Sequence, residues 1–219
     1  MTQATILNVA VGTPKTIRHD GKAVTTGIFK EPVRSRVSVT FDGLIGDGQA
    51  DLSVHGGRDK AVYVYPQVHY ATWSRELGTD EMQPSQFGEN LTVSGLSEQT
   101  VTLGNTYRFG SVVAVVAQPR LPCFKLGIRM NDGEFPARFL QSGRLGFYLR
   151  VEEEGETGPG DVFELLDSPA HGITVHELWH FVFREAPHAE TVSKYLALLP
   201  YIDEGWIRRL RMKAKPVSD

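Results

Sequence analysis

The hydrophobic period of this chain changes once, near residue 170, and that change limits the folds open to it. Before it, Val37, Val39 and Phe41 alternate with polar neighbours, the period-two pattern of a half-buried strand. Residues 61–65 are β-branched and aromatic, and residues 112–117 form a short apolar run between Gly110 and Pro119, as a fully buried strand requires. Phe147, Leu149 and Val151 alternate again, and Val162, Phe163 and Leu165 follow a Gly-rich turn at 155–160. Most of the 22 glycines and 12 prolines fall between these runs. Many short strands punctuated by turn residues predict a sandwich or a barrel. Two helices interrupt them, at 66–77 and 134–141; Pro66 opens the first, and Gly78 and Gly143 lie just past their ends.

After residue 170 the spacing turns helical. Val175, Leu178, Trp179, Val182 and Phe183 fall at i, i+3, i+4, i+7 and i+8, one stripe of an amphipathic helix. Pro187 opens a second helix with Val192, Tyr195, Leu196 and Leu199 on one face, and Pro200 ends it. A third starts near Asp203 and buries Trp206, Ile207 and Leu210. Three helices this short cannot each bury a face alone, so they are expected to pack together or onto the strands. The expected organisation is therefore α+β: a strand-rich domain over 1–168, a linker at 167–172, and a three-helix segment over 169–219.

Composition narrows the function. Lys and Arg total 23 against 26 Asp and Glu, so nothing marks a dedicated nucleic-acid binder. No apolar run has the roughly 18 residues of a membrane helix, and the first residues do not pair a basic stretch with an apolar one, so the expected location is the cytoplasm. The single cysteine excludes an intramolecular disulfide and any zinc site needing two cysteines of this chain.

Four segments carry residues suited to chemistry. His176-Glu-Leu-Trp-His180 matches the zinc-hydrolase pattern, in which two histidines bind the metal and the glutamate is the base, with Glu185, His188 or Glu190 as third ligand. The same stretch reads as a capping box, Thr174 capping a helix and Glu177 reaching back. The segment 46–60 places glycines beside His55, Arg58 and Lys60, which suits either an anion or a polar surface turn. In the segment 118–125 the lone Cys123 lies between Arg120 and Lys125, whose charge favours thiolate; the alternative is an inert buried thiol. In Phe87-Gly-Glu-Asn-Leu91, Glu89 and Asn90 either bind a heterocycle or cap a turn. The basic tail, Arg208, Arg209, Arg211, Lys213 and Lys215, suits a solvated helix end or a surface for an acidic redox partner.

Taken in order, Thr26-Gly-Ile-Phe-Lys30, residues 46–51, the stretch from His55 through Gly56, Gly57, Arg58 and Lys60 to Tyr63, Phe87-Gly-Glu-Asn-Leu-Thr92 and Pro119-Arg-Leu-Pro-Cys123 resemble the MOSC-domain family, and within it the YiiM-like subgroup with its C-terminal three-helix segment. The resemblance spans nearly the whole chain. It implies a β-rich, barrel-like core that binds molybdenum cofactor (molybdopterin), a pterin dithiolene with a terminal phosphate. It implies reduction of N-hydroxylated compounds such as N-hydroxylated purine bases and amidoximes. Cys123 matches the cysteine whose thiolate ligates molybdenum. Lys30, Asn90 and Arg120 match positions near the cofactor. His55, Arg58 and Lys60 fall in the pocket motif, with His55 placed to deliver protons, and Lys15 and Lys125 are further candidates for neutralising phosphate. The chain departs from its relatives at Asn105, where they usually carry Asp, and the His-Glu-x-x-His pattern is not a family feature. No G-x-G-x-x-G opens a helix after a strand, so an external flavoprotein or ferredoxin-type electron donor is expected. A carrier or binding module for the cofactor or its sulfur, and a zinc hydrolase, are the competing readings. A homodimer is left open.

Overall fold

The computed structural model describes residues 3–50, 56–80, 82–185, 189–198 and 200–213, with the backbone alone at 189–192. Thirteen strands are present among them. They are β1 (Thr5–Val11), β2 (Lys15–His19), β3 (Lys22–Thr26), β4 (Glu31–Val33), β5 (Val37–Thr40), β6 (Gly43–Leu44), β7 (Val62–Pro66), β8 (Leu91–Ser94), β9 (Thr106–Phe109), β10 (Val112–Pro119), β11 (Phe147–Glu153), β12 (Gly155–Thr157) and β13 (Glu164–Asp167). The α-helices are α1 (Tyr70–Leu77), α2 (Phe124–Met130), α3 (Phe135–Ser142), α4 (Val175–Phe183), α5 (Ala189–Leu196) and α6 (Glu204–Lys213). No described helix is long and apolar enough to cross a membrane.

Eight strands form one sheet in the order β13-β9-β10-β11-β7-β8-β1-β4. Its pairings are antiparallel except β7 with β8, and the crossover that this parallel pair needs carries α1. The α+β class expected from the sequence is present. The barrel does not close into a complete ladder: β1 gives its far end to β4, through Val9 to Val11, and its start touches the segment before β13 in one isolated bridge, Thr5 to Val162. Two hydrogen bonds brace that bridge, Ile6 N–H to Asp161 O at 2.8 Å and Phe163 N–H to Ala4 O at 2.9 Å. A three-stranded sheet, β12-β5-β6, and a β2-β3 ribbon complete the strands.

The concave side of the sheet is filled by Val62, Val64, Leu91, Val116, Phe147 and Leu149, and the C-terminal helices add Leu178, Phe181, Leu198, Trp206 and Leu210 to the same apolar cluster. A second cluster is aromatic: Tyr65, Trp73, Phe87, Phe135 and Phe139 pack with Trp179, which ties α1 and α3 to α4. Trp179 donates its indole N–H to Leu140 O at 2.9 Å, as a buried indole needs.

The expected helices sit close to their places, with physical shifts. The first begins as a 3-10 turn, Gln67–His69, and becomes α at Tyr70. In α4 the core takes Phe181, which stacks on Tyr195 at 4.1 Å, while the expected Phe183 is 38% exposed. This helix is wedged between both clusters, so its apolar face is broader than a single stripe. On α5 Tyr195 is buried as expected, but Leu196 is 40% exposed and Leu198, beyond the helix end, packs instead. Leu199, Pro187, His188 and Lys215 lie outside the described residues, and the side chains of Val192 and Glu190 are not described.

Candidate functional site

The chain turns out of β10 at Pro119, and the two residues beyond Arg120 lead to Cys123, which caps α2 with extended backbone (φ −125°, ψ 173°). Arg120 is held by its backbone N–H to Gly146 O at 3.2 Å. Its guanidinium, 5% exposed, lies over the rings of Tyr63 (5.1 Å) and Phe139 (5.3 Å). Its Nη1 has no hydrogen-bond partner among the described residues. Burial alone would lower the Arg120 pKa, but Tyr63, Tyr148 and Cys123 outweigh it and the net shift is upward. A buried cation with an unused donor is costly unless a ligand satisfies it.

Asn90 precedes β8. Its Oδ1 accepts the Tyr63 N–H at 3.0 Å, and its Nδ2 donates to Ala10 O at 3.3 Å and to Asp47 Oδ2 at 2.8 Å. Asp47 also accepts the Gly12 N–H at 2.9 Å and both oxygens pair with Lys30, Oδ2 at 2.6 Å. The Lys30 and Asp47 side chains are 8% and 9% exposed. Burial pushes the Lys30 ammonium below the usual lysine value, against the pull of Asp47. Glu89 turns inward: its carboxylate accepts from the Tyr70 hydroxyl and from the Ser85 and Phe87 N–H groups, both at 3.0 Å, and burial raises its pKa. It braces the turn that presents Asn90.

These residues enclose a cavity of about 100 Å³. Lys30, Lys60, Asn90, Arg120, Cys123 and Lys125 all line it. Two expected residues stand elsewhere: Lys15 is exposed over the Phe29 ring (4.7 Å), and Arg58 is exposed over Phe41 (4.4 Å) with Nη2 3.3 Å from Val151 O. His55 lies outside the described residues. Residues that sequence reasoning left out are Asp47 and Tyr148. Tyr148 alternates with core-facing Phe147 and Leu149 on β11, so the period-two pattern already put it on the opposite face. Burial raises its pKa, against the pull of the Arg120 charge. Asp47 carried no such signal, because a carboxylate among glycines and cations reads as a surface turn. Asn105 serves its turn, its N–H bonding Thr102 O at 3.1 Å.

The donor set fits an anionic, sulfur-rich group. Four cations face one carboxylate around the cavity, a thiol stands at its wall, and the Arg120 donor points to an unmade bond. Backbone approaches closely as well: a Cβ on Gly27 would fall 2.3 Å from Gly48 O.

The zinc reading finds no such support. Thr174 Oγ1 accepts the Glu177 N–H at 3.1 Å and Glu177 Oε2 accepts the Thr174 N–H at 2.8 Å, a complete capping box. His180 is paired with Glu185 at 2.8 Å, and among the described residues no three His, Cys, Asp or Glu side chains converge to hold a metal.

Comparison with known proteins shows the family and the fold. The MOSC domain matches residues 51–164. The uncharacterized protein YflK of Bacillus subtilis (strain 168) is 40% identical over 96% of this chain and 94% of its own length. Protein YiiM of Escherichia coli (strain K12) is 33% identical over 86% of this chain and 84% of its own. A protein named "Reductase" from Gibberella moniliformis is 34% identical over 68% of this chain, which spans 27% of that longer protein. The crystal structure of YiiM from Geobacillus stearothermophilus superposes with a TM-score of 0.81 at 31% identity, covering 97% of this chain and all of that one. The fold is thus shared with the YiiM crystal structure over nearly the whole chain. The chain belongs to the MOSC domain family, and its fold and relatives are YiiM-like.

Proposed function

We infer that the chain is a molybdenum cofactor-dependent reductase of small N-hydroxylated compounds, N-hydroxylated purine bases and amidoximes among them. The observation that carries the reading is Cys123 at the wall of a cavity lined by Lys30, Lys60, Arg120 and Lys125 against Asp47. The family and the reductase-named relative support it.

When bound, the cofactor supplies two-electron oxygen-atom chemistry at its metal. The chain's own residues hold and orient. Cys123 as thiolate is the protein ligand. Arg120 offers its unused Nη1, and Lys60 and Lys125 add the positive field that an anionic group needs. Lys30 acts as one half of a pair with Asp47, which also fixes the Asn90 amide. Tyr148 Oη, beside Arg120, is a proton-holding group at the cavity wall. His55 is assigned proton delivery; Lys15 and Arg58, which stand away from the cavity lining, are given no part in holding the group. Electrons come from an external flavoprotein or ferredoxin-type donor; the protein works in the cytoplasm, and no nucleic acid or membrane enters the reaction.

The test is elemental analysis of protein purified from a host that makes molybdenum cofactor. Molybdenum near one per chain in the wild type, lost in Cys123→Ser, is the expected result. Equal molybdenum in both proteins sinks the ligand assignment. Turnover of benzamidoxime with a chemical electron donor then separates a reductase from a carrier of the cofactor.

A further inference from the structure

A second cavity of about 270 Å³ lies against the first and shares Lys60, Cys123 and Tyr148 with it. Its other wall comes from the C-terminal segment: Asp203, which caps α6 by accepting the Trp206 N–H at 2.9 Å, then Gly205, Trp206 and Arg209. Pro119, Leu121 and Pro122, between β10 and α2, add apolar surface.

The two cavities differ in charge. Around the first, four cations face one carboxylate. Around the second, Lys60 stands 3.6 Å from Asp203, and Arg209 is turned along its own helix with Nη1 3.1 Å from Gly205 O. The anionic group therefore gains most in the first cavity. The second has proline, leucine and tryptophan walls, Gln118 and Tyr148 as neutral polar groups, and two cations that already have partners, Lys60 on Asp203 and Arg209 on Gly205 O; it favours a neutral guest whose few hydrogen bonds fix its orientation. Any guest there lies in a cavity that Cys123 also lines. Gly205 keeps the space open: a Cβ there would meet Asp203 Oδ1 at 3.2 Å and Arg209 Nη1 at 3.8 Å, both side-chain atoms.

We propose that this second cavity is the substrate subsite, shaped for a small, flat, uncharged molecule with hydrogen-bonding groups on its rim, and that α6 sets its selectivity through Asp203, Gly205 and Trp206. The assignment rests on the cofactor occupying the first cavity. It makes the C-terminal helices part of the binding machinery rather than an outer cover.

The experiment compares full-length wild type, Gly205→Leu and Asp203→Asn, all from a host that makes molybdenum cofactor. Three quantities are read: molybdenum per chain, saturation-transfer NMR of N6-hydroxyadenine and benzamidoxime, and kcat and KM with a chemical electron donor. Both variants are expected to hold wild-type molybdenum. Gly205→Leu loses the NMR signal and at least about tenfold in kcat/KM. Asn still caps a helix, so Asp203→Asn keeps kcat and raises KM. An unchanged NMR signal and KM in Gly205→Leu overturns the subsite. Should that variant not fold, unchanged KM in Asp203→Asn overturns it. A wild type without molybdenum removes the cofactor reading instead. The NMR arm then decides alone: signal in the wild type and none in Gly205→Leu supports the subsite, and equal behaviour of the two overturns it.

Discussion

Asp47 receives three donors at once, the Lys30 ammonium, the Gly12 N–H and the Asn90 amide, and so ties three separate chain segments into one wall of the cavity. With both charges less than a tenth exposed, removing one partner strands the other in a poor solvent for ions. Asp47→Ala should cost about 3–5 kcal/mol of stability, measured by urea unfolding. Replacing both partners, Lys30→Met with Asp47→Leu, should recover the part of that loss due to the stranded ammonium, and not the part due to the Gly12 N–H and the Asn90 amide, which still lose an acceptor. A single-variant loss under about 1 kcal/mol, the size of a surface pair, would show the pair to be solvated. The sequence reading placed Lys30 and Asn90 near the ligand on resemblance, and both do line the cavity. What it could not see was that a carboxylate 17 residues from Lys30 in the chain neutralises it. Long-range pairing of this kind leaves no local spacing to read.

The elements divide by how strongly they announce themselves. α4 was legible because capping and periodicity agree: Thr174 and Glu177 form the reciprocal bonds, and Val175, Leu178 and Trp179 are buried behind them. Thr174→Ala should cost about 1 kcal/mol, within roughly 0.5–2, read as a fall in Tm. Burial pushes the Glu177 pKa up, but the Thr174 N–H and Lys194 outweigh it and the carboxyl ends below its ordinary value. Its contribution is therefore complete at neutral pH and is lost as the pH falls below the ordinary glutamate range. The Thr174→Ala deficit should shrink over that acid window; a deficit independent of pH would mean that the box does not carry it. The β2-β3 ribbon is the opposite case. Its strands are largely exposed and lack apolar alternation, so hydrophobic pattern is silent there. Asp20 and Gly21, both with positive φ (48° and 75°), are its only strong mark, the two-residue turn of a tight hairpin. α2 was not legible, since seven residues with Gly127 inside carry little periodic signal.

At the scale of the molecule, the break in period near residue 170 marks a change of secondary structure but not a break in the core. Leu178, Phe181, Tyr195, Leu198, Trp206 and Leu210 belong to the same apolar cluster as the sheet residues Val112, Ala114, Val116 and Leu149. Backbone crosses the boundary too: Leu103 N–H bonds Ile173 O at 3.0 Å, and Val175 N–H bonds Val101 O at 2.9 Å. Local periodicity reports which element a residue joins and says nothing of which layer that element covers, so the sequence left open whether the helices pack on one another or onto the strands, and the apolar cluster puts them on the sheet. Burying a large apolar side chain is worth roughly 1.5–3 kcal/mol, so six of them are of the same order as the roughly 5–15 kcal/mol that holds a whole domain together. The full chain should therefore unfold by heat in one cooperative transition. A chain ending at Ser168 should show none, and should bind an apolar dye through the uncovered sheet face. The subsite wall on α6 would go with it, so that the truncated protein loses the binding surface and the core together. A truncated chain with its own sharp transition near the full-length Tm would mean that the strand domain stands alone, and that the helices are held to it for binding rather than for stability.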